Sequence, residues 1–260
     1  MKTIIKFHKY SGNGNDFIIL NRPEIALTPE LISSMCSRHF GVGADGVLVL
    51  SSTENADGRM QIYNSDGGEA EMCGNGIRCL VTYLDDQNKE KKSTYRMKTM
   101  NGVYEITKKD GAFAVEMSEI KDKNTYDLSS FNEYKRSFFV NTGVPHLVFE
   151  VHEAKRIDIK SRAPQYRFHK MFPNGTNVSF LQVLEGNQVA YVRTYERGVE
   201  DETFSCGTGL TACGLALNHW YGWTGDITLK TLGGLQHISV ADKIHYSGEV
   251  KFCFEGEYVV

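Results

Sequence analysis

The chain is short of several things, and each shortage removes a class of protein. Its six cysteines stand at 36, 73, 79, 206, 213 and 253, so it has no Cys-x-x-Cys. Zinc knuckles and thioredoxin-type pairs need that spacing, and neither they nor any other metal centre is expected. Charge of one sign is not in excess: the net charge is -3 and the pI about 6.3. No nucleic-acid or anionic membrane partner is called for. No apolar stretch nears the ~20 residues of a membrane span. At the N-terminus, charge and then Gly12-Asn13-Gly14 come too early for a signal peptide. The expectation is a soluble cytoplasmic protein whose cysteines are mostly thiols. Prolines number five, and no low-complexity linker breaks the chain. What is there is 260 residues, 41% of them hydrophobic, enough for one large domain or two small ones with real cores.

Two short runs rhyme. Glu71-Met72-Cys73-Gly74-Asn75-Gly76 and Phe204-Ser205-Cys206-Gly207-Thr208-Gly209 both contain Cys-Gly-x-Gly. Each is followed by a helical stretch, Ile77 to Leu84 and Leu210 to Trp220. Each is preceded by a strand and a polar turn. Each cysteine is therefore expected at the mouth of a buried helix. The first amides of a helix lack intrahelical partners and carry a partial positive charge. Such a mouth lowers a thiol pKa and binds an anion such as a carboxylate. Two of them suggest two thiols facing one substrate. A single Cys-Gly motif would more often be a small buried thiol.

In chain order, Ile4 to Tyr10 and Phe17 to Leu20 read as strands around a Ser11 to Asp16 turn. Thr28-Pro29 reads as the start of a helix that runs to about Arg38. Gly41-Val42-Gly43-Ala44-Asp45-Gly46 superficially resembles a dinucleotide loop, but the strand Val47 to Leu50 follows it where a helix would be needed. Further strands are expected at Ser93 to Met100, Val103 to Lys108, Ala112 to Met117, Ser137 to Val140 and Leu147 to Val151. Ser118 to Asn132 is polar and reads as a connection between halves.

The second half repeats the first. Ser11 and Thr142 are 131 apart (142 - 11), Cys73 and Cys206 are 133 apart (206 - 73), and Thr99 and Thr231 are 132 apart (231 - 99). Three landmarks at nearly one offset indicate an internal duplication. The expected fold is α+β, two pseudo-symmetric halves, each a mixed sheet wrapped around a central helix. The first half is 1–117 and the second 118–252.

Taken together, the motifs resemble the diaminopimelate epimerase family over nearly the whole chain. The likeness rests on Gly14-Asn15-Asp16-Phe17, Arg38 to Gly46, Tyr63-Asn64-Ser65-Asp66-Gly67, Glu71 to Gly76 with Arg78-Cys79, Pro145-His146, Asn177-Val178 and Tyr195-Glu196-Arg197-Gly198 leading to Cys206-Gly207-Thr208-Gly209. The resemblance implies a homodimeric isomerase that uses no cofactor. Its reaction would convert LL-2,6-diaminopimelate to meso-diaminopimelate, in lysine and peptidoglycan precursor synthesis. It also implies a last strand, about 253–260, that returns to the first half.

Inverting an α-carbon needs a base on one face and an acid on the other. Cys73 and Cys206 supply two thiols from distant parts of the chain. The amides at Gly74, Asn75, Gly207 and Thr208 would grip the α-carboxylate as charge develops. The resemblance assigns Cys206 as base and Cys73 as acid for the LL substrate, with His146 and Glu196 tuning the thiols. It places Asn15, Asn64, Asn177, Glu196 and Arg197 against the substrate's charged ends. On residue type alone, His146 reads as a capping histidine in a turn, and Arg197 as an ion-pair partner of Glu196, Glu200 or Asp201. Cys36, Cys79, Cys213 and Cys253 are expected to be structural. Two departures stand out: Val144 sits where the family often has asparagine, and Glu200-Asp201 extends a loop.

Other readings are an epimerase or racemase of another amino acid on the same scaffold, a thiol hydrolase pairing one cysteine with His146, and an anion-binding module without catalysis. The paired thiols are also expected to join as a disulfide on oxidation.

Overall fold

The computed structural model describes residues 3–117 and 120–260; Met1, Lys2, Ser118 and Glu119, including the first two positions of the expected connection, lie outside the described residues. Two units are present. One comprises Met1–Val115 with Gly248–Val260, the other Glu116–Ser247.

The first unit begins with a hairpin, Ile4–Gly12 and Asn15–Asn21, closed by Asn13 and Gly14 alone. Both turn residues have positive φ, 53° and 85°, which asparagine and glycine tolerate best. Asn15–Asn21 runs parallel to Gly46–Ser51, which pairs antiparallel with Gly58–Asn64. That strand meets Glu69–Ala70 antiparallel and Thr94–Thr99 parallel. Gly102–Lys109 and Ala112–Glu116 follow as antiparallel neighbours. Val250–Val259 lies antiparallel to Ile4–Gly12.

The second unit reproduces this pairing scheme. Arg136–Asn141 and Pro145–Glu150 form the hairpin. Pro145–Glu150 is parallel to Asn177–Val183, which is antiparallel to Val189–Glu196. Val189–Glu196 meets Asp201–Thr203 antiparallel and Gly225–Thr231 parallel, and Gly234–Val240 follows. The repeat reaches single hydrogen bonds. Thr99 Oγ1 donates to Gly102 O and accepts from the amide of Asn101. Thr231 Oγ1 likewise donates to Gly234 O and accepts from the amide of Gly233.

Each sheet wraps one long helix. The Cys73 helix, Gly74–Gln87, buries Ile77, Leu80 and Val81 against Leu48, Ile62 and Tyr95. The Cys206 helix, Gly207–Tyr221, is buried without interruption from Gly209 to Leu217. A helix apolar on all sides must sit inside its unit. It stops at Gly222, whose φ of 69° is the left-handed turn that ends helices. Leu210 is 1% exposed, so Leu210→Ala would cost about 2–5 kcal/mol. A separate cluster, with Ile18, Leu20, Met35 and Val47, packs the other face of the first sheet. Its helix, Pro29–Cys36, is capped by Thr28, whose hydroxyl accepts from the amide of Leu31, and it stops two residues short of Arg38.

Two expectations change. Pro145 and His146 lie inside a strand, because Pro145 pairs with Asn141 across the hairpin and loses no ladder bond by lacking an amide hydrogen at the strand's first position. Cys253 is exposed on the last strand and packs no core, whereas Cys36, Cys79 and Cys213 are buried.

Candidate active site

Cys73 is the N-cap of its helix, with extended backbone (φ -142°, ψ 120°). Its sulfur accepts from the amide of Gly76 at 3.4 Å, as a serine or aspartate cap would. The thiol also reaches Asn15 Oδ1 at 3.7 Å. Asn75, the helix's second residue, donates from Nδ2 to the same Asn15 oxygen at 3.4 Å. Asn15, Cys73, Gly74 and Asn75 are thus gathered at one mouth. Asn64 lies at the same end of the sheet, since Phe17 pairs with Gly46 and Gly46 with Asn64. Its backbone closes a turn, accepting from the amide of Gly67 and donating to Gly68 O.

A charged clasp holds this end. Arg38 donates to both Asp16 oxygens and to Asp45, and the buried Lys9 pairs with Asp16 at 2.6 Å. Burial would raise the Asp16 carboxyl, but the hydrogen bonds and charges of Arg38 and Lys9 prevail and hold it at about 2. The clasp fixes the glycine-rich turn 41–46 beside the first hairpin. That gives the segment a structural role, and the strand Gly46–Ser51 follows it where a dinucleotide loop would lead into a helix.

Cys206 is also an N-cap with extended backbone (φ -124°, ψ 102°), but its sulfur makes no capping bond to the helix amides. It is 8% exposed, and Thr208 Oγ1 lies 3.5 Å away. Thr208 Oγ1 in turn stands 3.0 Å from His146 Nε2. His146 is wholly buried, and burial, aided by the charge of Arg197, pushes its pKa down to about 3. It is therefore neutral near pH 7. Glu196 is raised: burial outweighs hydrogen bonds from Thr203 and Cys206. Asn177 pairs in register with His146, accepts the amide of Arg197 at 2.7 Å and donates to Pro145 O at 2.9 Å. Val178 pairs with Tyr195, so Asn177 and Glu196 close the row.

Arg197 donates to Asn174 O at 2.9 Å. The acids expected to pair with it are engaged elsewhere: Glu200 with Arg167 at 2.7 Å and Asp201 with Lys160 at 2.7 Å. Among the described residues no ion pair ties Arg197 to a carboxylate. The Glu200-Asp201 extension is therefore clamped at both residues, Glu200 in the turn and Asp201 as the first residue of the strand Asp201–Thr203. The other buried thiols are chemically quiet, since burial drives Cys79 well up, Cys213 up to about 12 and Cys36 up to about 11.

One important group escapes sequence reasoning. Arg78 is completely buried, and its guanidinium bonds to Gly74 O, Asn75 Oδ1 and Asn13 Oδ1. An arginine within an apolar helical run at Ile77-Arg78-Cys79-Leu80 was the available signal, because unpaired burial of such a group is costly.

Two repeated sheet-and-helix units make a fold that solved structures share. The Bacillus anthracis phenazine biosynthesis protein of the PhzF family matches with a TM-score of 0.78 at 15% identity, covering 99% of this chain and 100% of that one. A hydroxyproline epimerase from Agrobacterium vitis matches with a TM-score of 0.64 at 14% identity, covering 99% and 93%. Within that class the sequence is more specific. The diaminopimelate epimerase family model matches residues 7–121 and 138–253, and a diaminopimelate epimerase from Methanocella arvoryzae is 40% identical over 98% of this chain and 97% of its own. The chain belongs to the diaminopimelate epimerase family.

Proposed function

We propose that the protein converts LL-2,6-diaminopimelate to the meso isomer by moving a proton at one α-carbon, with no added cofactor. The observation that carries the reading is the duplicated cysteine at a helix mouth, one in each unit, in a chain of this family. One thiolate removes the α-proton and the other thiol returns one to the opposite face. In the LL direction Cys206 is the base and Cys73 the acid; the reverse direction exchanges them. The carbanion next to a carboxylate needs electrostatic support. The amides of Gly74, Asn75, Gly207 and Thr208 are suited to it, and removing such a donor typically costs about 3–4 kcal/mol of barrier.

Around the thiols the roles divide. Neutral His146 holds the Thr208 hydroxyl, and Glu196, kept toward its protonated form by burial, faces Cys206. Arg197 takes a distal carboxylate through a two-pronged contact, with Asn177 setting its backbone. Asn15 and Asn64 serve the substrate's remaining polar groups. A homodimer in the cytoplasm belongs to the same reading, and a monomer mass by sedimentation in active protein would remove the dimer from it. No helix among the described residues is long and apolar enough to cross a membrane.

The test is incubation with LL-diaminopimelate in deuterated water. Deuterium should enter the α-position as meso product forms. Absence of exchange by reduced enzyme would overturn the substrate assignment.

A further inference from the structure

Four side chains beside Cys73 form a hydrogen-bonded chain with fixed ends. Arg78 carries only donors, and its Nη2 gives one to Asn75 Oδ1 at 2.7 Å. The carbonyl end of Asn75 is thereby committed, so its Nδ2 faces Asn15 Oδ1 at 3.4 Å. The amide nitrogen of Asn15 donates to Asp45 Oδ2 at 2.8 Å, and an ionised carboxylate only accepts. Donor-only Arg78 at one end and acceptor-only Asp45 at the other leave each asparagine a single orientation. Flipping either would set like against like at both of its contacts. Both ends are braced. Arg78 is 0% exposed and also grips Asn13 Oδ1 and Gly74 O, while Asp45 is held by Arg38 at 2.6 Å.

The consequence falls on the sulfur. The fixed carbonyl of Asn15 is the group presented to Cys73 Sγ, at 3.7 Å. A carbonyl oxygen accepts from a thiol and repels a thiolate. We infer that Arg78 is a positioning residue that, through Asn75, Asn15 and Asp45, holds Cys73 in its protonated form and so makes it the resting proton donor. This deepens the two-thiol reading and rests on it only for the donor's role. The Gly76 amide pulls the other way by donating to the sulfur, and a thiol can satisfy both partners at once. Of the charged and titratable groups nearby, Asp16 and Arg38 are clasped together, Glu71 binds Asn101, and Cys79 is buried with its thiol driven up. Arg78 itself is a cation, so its charge alone would favour a thiolate. The two effects have opposite signs, and that makes them separable.

The experiment is the pH dependence of Cys73 alkylation by iodoacetamide in the full chain carrying Cys206→Ala, with the modified peptide identified by mass. Arg78→Met removes both the donor and the charge. The inference expects the titration midpoint of Cys73 to fall by about one pH unit and alkylation at neutral pH to rise several-fold. Arg78→Lys, which keeps a donor to Asn75, should restore most of the wild-type midpoint. A midpoint that rises or stays in folded Arg78→Met would overturn the inference, since loss of a cation or of mere packing predicts those results. Should Arg78→Met not fold, Asn15→Ala decides without any change of charge: a lower midpoint supports the inference and an unchanged or higher one overturns it. No substrate is used, so failure of the diaminopimelate assignment would leave this result readable.

Discussion

The mouths of the Cys73 and Cys206 helices share a backbone and differ in the side chains around the sulfur. At one offset of 133, Asn75 answers to Thr208 (75 + 133) and Arg78 to Thr211 (78 + 133). The last pair keeps one hydrogen bond: Arg78 Nε donates to Gly74 O, and Thr211 Oγ1 donates to Gly207 O. Beyond that the first mouth is lined by amides and a buried cation, the second by a hydroxyl, a neutral imidazole and a buried carboxyl. Duplication supplied two helix mouths, each with a cysteine at its N-cap. Divergence surrounded each thiol with different partners, and on the reading proposed above that difference lets one sulfur give a proton while the other takes one.

The sharpest way to break this comparison is to remove each sulfur in turn. Cys73→Ala and Cys206→Ala should each lower epimerisation about 10³-fold or more, measured by deuterium entry coupled to meso product. A variant that kept most of its turnover would make one mouth a spectator. The next effect separates the mouths by pH. His146 is held at about 3, below its ordinary 6.5, so the unfolded chain binds a proton that the folded chain refuses. Its stability contribution is complete above about 6.5 and is lost as pH falls toward 3, at up to about 1.4 kcal/mol per unit. Urea unfolding of His146→Gln should show a shallower decline over that window than wild type. An equal slope would mean that His146 is not buried as a neutral group.

A smaller effect concerns close approach. A methyl group on Gly207 would meet the Tyr246 ring at 2.9 Å, whereas one on Gly76 would meet a Leu48 methyl at 3.1 Å. Gly207→Ala should cost about 1–3 kcal/mol by thermal unfolding, and Gly76→Ala less, because an aliphatic tip yields more readily than a ring. The smallest test uses the repeated hairpin threonines. Thr231 also accepts from Gln236 Nε2 at 2.8 Å, so Thr231→Val should cost more than Thr99→Val, by about 1 kcal/mol.

Much of the fold could be read from the residues, and particular elements show why. The helix mouths were legible because each Cys-Gly-x-Gly runs directly into a helical stretch, and because the motif occurs twice. The repeated Thr-x-x-Gly hairpins were legible by spacing alone. His146 was misplaced in a turn because proline before it suggests one; only the partner strand Arg136–Asn141 shows that Pro145 begins a strand. The stretch from Ala154 to Arg167 went unread. It holds three helical turns too short for any period, fixed by an aromatic cluster of Phe131, Phe149, Tyr166 and Phe172 drawn from scattered positions. Arg78 was the main omission at the candidate site, since its partners Asn13 and Asn75 are turn and cap residues by local rules. Their shared orientation exists only once the hairpin and helix are folded together.

The pairing of Ile4–Gly12 with Val250–Val259 has a consequence for the order of assembly. These strands are separated by 237 intervening residues (250 - 12 - 1), yet Thr3 and Val260 exchange backbone bonds at 3.2 and 2.8 Å. During synthesis the first strand emerges early and waits for its neighbour, while residues 116–247 form an uninterrupted stretch that can fold meanwhile. The unit made first is thus finished last. Its closure is a long-range step of high entropic cost, and until then the ribosome-bound chain exposes the edge of Ile4–Gly12 as an open template for pairing.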